Sequence, residues 1–403
     1  MHHLRKPFAS TNSNVLLLVL CQALSMTGNV ILFTTAALIG QALAPDKSMA
    51  TVPLALAQIA TMIATIPASL LMRRVGRKLG FGVGIFVGLS GAALGLYAIL
   101  THQFVWFCLA TMLFGSFNSF VGFYRFAAAE VAPSGFRSQA IALVVAGGVA
   151  AAVAGPQLAS WSKDRLYGED FAGSFATIAV LIALSLLPLL WVKIPQLSAS
   201  ERQEKGRSLT VIMRQPIFIV AVLGSMLGYG VMVLVMTATP LAMVAHAHPF
   251  HEAATVMQWH VLGMFAPSFI TGFLIARFGV LPMMTCGGLL SLICIAINLT
   301  TAGFLSYSIA LLLLGIGWNL LFIGSTTLLT ETYVPAEKTG VQAAHDFLMF
   351  GFVAFSTILS GSLFQNFGWT MVNLAGIPMM LLVLAAIGWL AYHRTALKSQ
   401  PTP

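Results

Sequence analysis

Gly224–Ala253 reads GSMLGYGVMVLVMTATPLAMVAHAHPFHEA, and Thr255–Gly279 reads TVMQWHVLGMFAPSFITGFLIARFG. Each holds an apolar run on the scale of the ~20 residues a helix needs to cross a ~30 Å hydrocarbon core. No water reaches the backbone there, so such a run must close its hydrogen bonds internally, as a helix. Both runs also carry an inlay of donor atoms. Met232 and Met236 stand four residues apart, as do His260 and Met264, which puts each pair on one helical face, one turn apart. Met257 extends the second stripe, and Tyr229 and Met243 extend the first. Thioether sulfur and imidazole nitrogen suit Cu(I). Methionine is equally an ordinary gap-filler in helix packing, and a histidine in a span can simply bond a neighbouring carbonyl.

Runs of the same kind recur through all 403 residues. The pattern predicts twelve spans, near 15–43, 51–72, 80–101, 104–130, 139–161, 172–194, 217–245, 253–276, 281–301, 306–330, 341–365 and 371–392. The chain is 58% hydrophobic and only 8% charged, with a mean hydropathy of +0.92, whereas soluble domains carry about a quarter charged residues. An all-α polytopic membrane protein follows, with no soluble domain large enough to fold separately. The net charge of +9 reflects topology rather than affinity for nucleic acid. Lys47, Lys163 and Arg165 fall in loops read as outside, Arg125 falls within a span, and the other sixteen of the 20 Lys and Arg fall inside. This asymmetry predicts that both termini are cytoplasmic. The first apolar run is too long for a cleavable leader. Cys21, Cys108, Cys286 and Cys294 all lie in apolar runs and read as small hydrophobes rather than as disulfide or metal partners.

The chain repeats itself. Gly76 closes MRRVGRK after the second run, and Gly279 closes ARFG after the eighth. Asn118 precedes Glu130 by the interval that separates Asn319 from Glu331; each glutamate leads to a proline, Pro133 or Pro335, and then to a glutamine, Gln139 or Gln342. The reading is two six-helix halves, 1–194 and 217–403, joined by a charged linker at 195–216, with the substrate path between the halves.

These residues resemble the major facilitator superfamily. SLLMRRVGRK is similar to its GxxxDRxGRK loop, with Ser69 in place of glycine and Arg73 in place of aspartate; GFLIARFG keeps Gly272, Arg277 and Gly279, with Ala276 in the acidic position. Gly155 and Pro156 of AGPQLAS resemble the family's GPxxGG, with Ala159 and Ser160 replacing the final glycines. Within the superfamily, MxxxM, HxxxM, GIGWNLLFIGSTTLLTETYVP and VQAAHDF resemble the CcoA-like copper importers, and a sister group associated with riboflavin uptake shares much of that scaffold. The resemblance implies Met232, Met236, His260 and Met264 as metal ligands. It also implies copper as transported substrate, with no permanently bound cofactor, supplied for cytochrome oxidase assembly across a bacterial inner membrane.

The HAHPFH loop adds His246, His248 and His251, which can gather metal ahead of the membrane site, alongside periplasmic or cytoplasmic copper chaperones as partners. Glu130 and Glu331 are expected at cytoplasmic helix ends, paired with Arg137 or Lys338. Asn118, Asn319, Gln342, His345 and Asp346 complete a set for gating or coupling; His345 and Asp346 read as a proton-coupling site or an inner gate. No GxxxxGK[ST] loop and no nucleophile–base pair occurs, so the chain reads as a secondary carrier rather than an enzyme. The alternative substrate is riboflavin or another small organic solute. There Tyr229, Trp259, Phe265, Trp318 and Phe322 supply stacking surface.

Overall fold

The computed structural model describes residues 5–46, 49, 52–166, 168–195 and 206–398. Lys47 and residues 196–205 of the predicted linker, with Arg202 and Lys205, lie outside the described residues. Among the described residues, ten helices are long and apolar enough to cross a membrane, or eleven when one bent pair counts as a span. In chain order they are α1 (Ser13–Ala36), α2 (Val52–Val75), α3 (Arg77–Leu100), α4 (Phe104–Val131), α5 (Ser134–Ser162) and α6 (Ala172–Trp191). Then follow α7 (Pro216–Ala245), the bent pair α8 (Thr255–Phe265 and Ser268–Phe278), α9 (Val280–Thr300), α10 (Phe304–Leu329) and α11 (Lys338–Arg394).

The breaks have local causes. The two pieces of α8 meet at 41° across Ala266 and Pro267, where proline removes a backbone donor and crowds the preceding turn. Within the 57 residues of α11, Gly368 adopts φ 77, a conformation open mainly to glycine, and divides the stretch. The runs expected at 341–365 and 371–392 fall on either side of it. Gly76 (φ 88) and Gly279 (φ 91) stand at matching points between consecutive helices. The repeated loop glycines therefore do the same conformational task in both places.

The chain forms two compact units. Met1–Glu204 with Gln342–Phe350 make one, and Lys205–Val341 with Gly351–Pro403 make the other. In the first unit, the glycines of α3 let large side chains in. A Cβ at Gly88 would stand 2.8 Å from the Phe117 ring, and one at Gly91 would stand 3.1 Å from the Ala110 carbonyl. Gly82, the first of that run, faces open space. In the second unit, α8 and α10 touch backbone to backbone. A Cβ at Gly315 would stand 2.5 Å from the His260 carbonyl, and one at Gly263 would stand 2.7 Å from the Leu312 carbonyl. Small residues at such crossings are how apolar helices associate without a hydrophobic driving force. Phe86, Leu305 and Ile358 are exposed by two thirds or more, as side chains facing lipid tails should be.

Candidate functional site

The four soft donors all lie in the second unit. Met232 is buried, Met236 is half-buried, and Met264 is buried on α8. His260 is wholly buried and turns toward α10, where its Nδ1–H donates to the Leu311 carbonyl at 2.8 Å. Its Nε2 has no hydrogen-bond partner among the described residues. This is the helix-to-helix bond that the sequence left open beside the ligand reading. Among the described residues, no group of three or more His, Cys, Asp or Glu is placed to hold a metal ion.

The loop histidines are also engaged. His246 Nδ1 lies 2.8 Å from the Tyr307 hydroxyl. His248 donates from Nδ1 to Glu252 and from Nε2 to the Ala302 carbonyl, each at 2.7 Å. The carbonyl first, and then the carboxylate, favour the protonated ring and raise its pKa. Both ring nitrogens are thus committed. The side chain of His251 lies outside the described residues.

Aromatic rings gather a short distance along the same helices. Trp318 stacks on Phe322 with centroids 4.7 Å apart and planes at 14°. Tyr229 meets Trp318 edge-on at 5.2 Å, and Phe265 does so at 5.9 Å. Trp318 and Phe322 sit on one face of α10 because they are one turn apart. Trp259, grouped with these residues from the sequence, is 49% exposed and has no ring contact among the described residues. The Trp318 indole N–H is buried and lacks a hydrogen-bond partner there. Trp318, Phe322 and Phe265 are all buried, so the cluster packs within the second unit.

Asn319, beside that ring, is fully used. Its Nδ2 donates to the Met264 carbonyl and to Ser268 Oγ, each at 2.6 Å, and its Oδ1 accepts from Thr271 at 2.7 Å. It therefore ties α10 to both pieces of α8 across the break. Asn118, its counterpart in the repeat, donates to Asn29 Oδ1 at 3.0 Å in the first unit.

The carboxylates choose partners other than the expected ones. Glu130 pairs with Arg77, not Arg137, through Nη2 at 2.6 Å and Nε at 3.3 Å. Arg77 also donates to Gln342 Oε1. Glu331 pairs with Arg394, not Lys338, at 2.6 Å. Arg77 opens α3 and Arg394 closes α11, so in both cases the folded chain supplies a base distant in sequence. His345 and Asp346 do come together, and Arg125 joins them. Arg125 Nη2 and His345 Nδ1 both donate to Asp346 Oδ1, at 2.5 and 2.8 Å. The lone basic residue in a span was the available signal for this pairing.

Arg207 and Glu337 carried no expectation. Arg207 grips both carboxylate oxygens, at 2.8 and 2.7 Å, and the Thr332 carbonyl at 2.9 Å. The bond to Arg207 holds the Glu337 carboxyl down at about 2, and Arg207 is raised in turn.

Comparison with known proteins sets this geometry in context. Residues 18–257 match the pattern of the Major Facilitator Superfamily. The chain is 39% identical over 378 residues to the riboflavin transporter RfnT of Brucella anthropi, a match covering 93% of this chain and 94% of that protein. It is 27% identical to the uncharacterized MFS-type transporter YddS of Bacillus subtilis, over 88% and 86% of the two chains. In fold it is similar to the E. coli fucose:proton symporter FucP, with a TM-score of 0.75 and 15% identity over 93% and 98% of the chains. These relatives overturn the expected membership of the CcoA-like copper importers. The residue pairs that tipped the choice, MxxxM and HxxxM, are spacings that a chain with 19 methionines yields readily.

Proposed function

The chain belongs to the Major Facilitator Superfamily, and from that premise we propose that it imports riboflavin, or a closely similar flat heteroaromatic solute. As a secondary carrier of that superfamily it moves a small molecule across a lipid bilayer by alternating access, and its chemistry is not enzymatic. The observation that carries the choice of substrate is the 39% identity, over nearly the whole of both chains, to a protein named as a riboflavin transporter. The Tyr229, Phe265, Trp318 and Phe322 cluster supports it, because stacked rings with a spare indole N–H fit a tricyclic ring edged with acceptors. In this reading Met232, Met236 and Met264 line and pack the same helices, where adaptable thioethers suit a bulky aromatic cargo.

The architecture we infer is twelve spans, counting the two parts of α11 about Gly368 separately, in halves 1–194 and 217–403 joined by 195–216. The excess of Lys and Arg in alternate loops supports two cytoplasmic termini in a bacterial inner membrane. Asn118, Glu130, Asn319, Glu331, Gln342, His345 and Asp346 belong to gating or coupling rather than to solute stacking.

Rescue of a riboflavin auxotroph tests the proposal. Expression of this chain should restore growth on low external riboflavin, and Trp318→Ala should raise the riboflavin concentration needed by about tenfold, the effect of losing one stacking partner worth about 1–1.5 kcal/mol. Failure of the wild type to rescue, with the protein present in the membrane, would remove riboflavin as the substrate.

A further inference from the structure

α11 begins in one unit and runs on through the other. Lys338–Val341 belong to the second unit, Gln342–Phe350 to the first, and the chain from Gly351 onward to the second again. The first residue of α11 outside helical conformation is Gly368, so one unbroken helix carries all of Lys338–Phe350. In the first unit its middle stretch is held by side chains: Arg77 donates to Gln342 Oε1, and Arg125 to Asp346 Oδ1.

The start of that helix is held by a carboxylate. The Glu337 carbonyl accepts the Val341 N–H at 3.2 Å, so the first turn of α11 hangs from this residue. The Glu337 side chain is 2% exposed and takes four donors. The Arg207 backbone N–H and Nε reach Oε1 at 2.7 and 2.8 Å. Arg207 Nη2 and the Val334 N–H reach Oε2 at 2.7 and 3.1 Å. Arg207 Nη2 also donates to the Thr332 carbonyl at 2.9 Å, which closes the turn between α10 and α11 on the same guanidinium.

The residues beside Arg207 complete the joint. A Cβ at Gly206 would stand 2.5 Å from Glu337 Cγ, so a side chain there would push the two segments apart. Ser208 accepts the Val211 N–H at 3.4 Å and caps the short helix Leu209–Met213, which leads into α7 at Pro216. An ion pair on an open surface adds little. This carboxylate is buried, saturated and gripped by a fork of fixed direction, which fixes position more tightly than a surface turn requires.

We propose that Arg207 and Glu337 make the start of α11 move with α7, and that this joint pulls Gln342–Phe350 free of the first unit during transport. This rests on the carrier reading above, in which access alternates between the two sides of the membrane. A helix shared by two units that move must give up its hold on one of them. With the joint closed, displacement of α7 passes through Glu337 to Gln342, little more than one turn away, and breaks the bond to Arg77. Arg77 keeps Glu130, so its charge stays paired. With the joint open, the first turn of α11 unwinds instead and Gln342 stays with Arg77. Arg207 and Glu337 act through Gln342 and are positioning residues.

The test measures initial rates of radiolabelled riboflavin uptake by the purified full chain in proteoliposomes. Arg207→Ala should lower the maximal rate about tenfold and leave the half-saturating concentration within about twofold. Arg207→Lys, which keeps the charge and loses the fork, should fall between. The decisive variant adds Gln342→Ala, which loosens the hold of the first unit. The double variant should recover to within about threefold of Gln342→Ala alone. Removing a second buried polar side chain does not repair a folding defect, so recovery separates this role from a merely structural one. An unchanged maximal rate in Arg207→Ala, a change confined to the half-saturating concentration, or a double variant no faster than Arg207→Ala would each overturn the proposal. If the wild type takes up no riboflavin, the substrate reading falls, and amide hydrogen exchange of the detergent-purified protein decides the joint. Val341 should then exchange at least about tenfold faster in Arg207→Ala, with Asp346–Phe350 unchanged. Equal exchange at Val341 in wild type and variant would overturn the proposal on that arm.

Discussion

Asn319 donates to the backbone carbonyl of Met264 at 2.6 Å, at the point where α8 bends by 41°. The break frees backbone groups that an unbroken helix would use: the Met264 carbonyl accepts from Asn319 and the Pro267 carbonyl from Thr271, and Asn319 also bonds the Ser268 and Thr271 hydroxyls. Asn319→Leu removes three bonds from a buried crossing. At about 0.6 kcal/mol for each interhelical bond, the loss is about 2 kcal/mol, a fall in unfolding temperature of a few degrees. Thermal unfolding in detergent measures it, and transport should drop with it because the aromatic cluster sits on the same turn.

Arg77 and Glu130 give a second prediction. Removing either partner leaves a largely buried charge uncompensated, whereas Arg137 is exposed. Arg77→Ala should therefore lower riboflavin uptake by about tenfold, on a scale where that factor is 1.4 kcal/mol. Arg137→Ala should change it by less than about twofold, as expected of a surface substitution. The exchanged pair Arg77→Glu with Glu130→Arg should recover part of the loss.

The Arg207–Glu337 pair predicts a pH dependence. The folded-state carboxyl, held at about 2, is depressed below its ordinary value of 4.5. A depressed acid contributes its full stabilisation above the unfolded value and loses it as the pH falls toward the folded value. Wild type and Glu337→Gln should thus differ in unfolding temperature at neutral pH and converge as the pH is lowered from about 4.5 toward about 2. A gap independent of pH across that window would contradict the assignment.

Copper supplies a fourth. His260 donates its Nδ1–H to the Leu311 carbonyl, a bond between helices, and leaves Nε2 without a partner among the described residues, so it is the likeness to a riboflavin transporter, not this bond, that speaks against copper. A strong Cu(I) chelator should leave riboflavin uptake unchanged. His260→Ala should cost about 1–3 kcal/mol of stability, through the unpaired carbonyl, without creating any dependence on copper.

Much of the fold was legible because one physical constraint dominates it: apolar runs of span length can only be helices in a bilayer. Gly76 and Gly279, placed by repetition alone, both adopt the positive φ their positions require. The 41° bend was not legible, since Pro267 in an apolar run signals a possible kink but not the partner that stabilises one. Ion pairs were read from the nearest base in sequence, which failed for Glu130, whose partner lies 53 residues away. Asp346 and Arg125 are separated by 221 residues, and only the fold brings them together. The subfamily was misread because Met and His at helical spacing look alike as ligands and as packing. Tyr229, Phe265, Trp318 and Phe322 were visible in the sequence, yet only the fold shows that their rings meet in one cluster.

The central claim, that the solute is riboflavin, is tested most directly by uptake of radiolabelled riboflavin into proteoliposomes containing the purified chain. Saturable uptake, weakened by Trp318→Ala and indifferent to added copper, is the predicted result. Copper uptake that is lost in His260→Ala, with no entry of riboflavin, would contradict it.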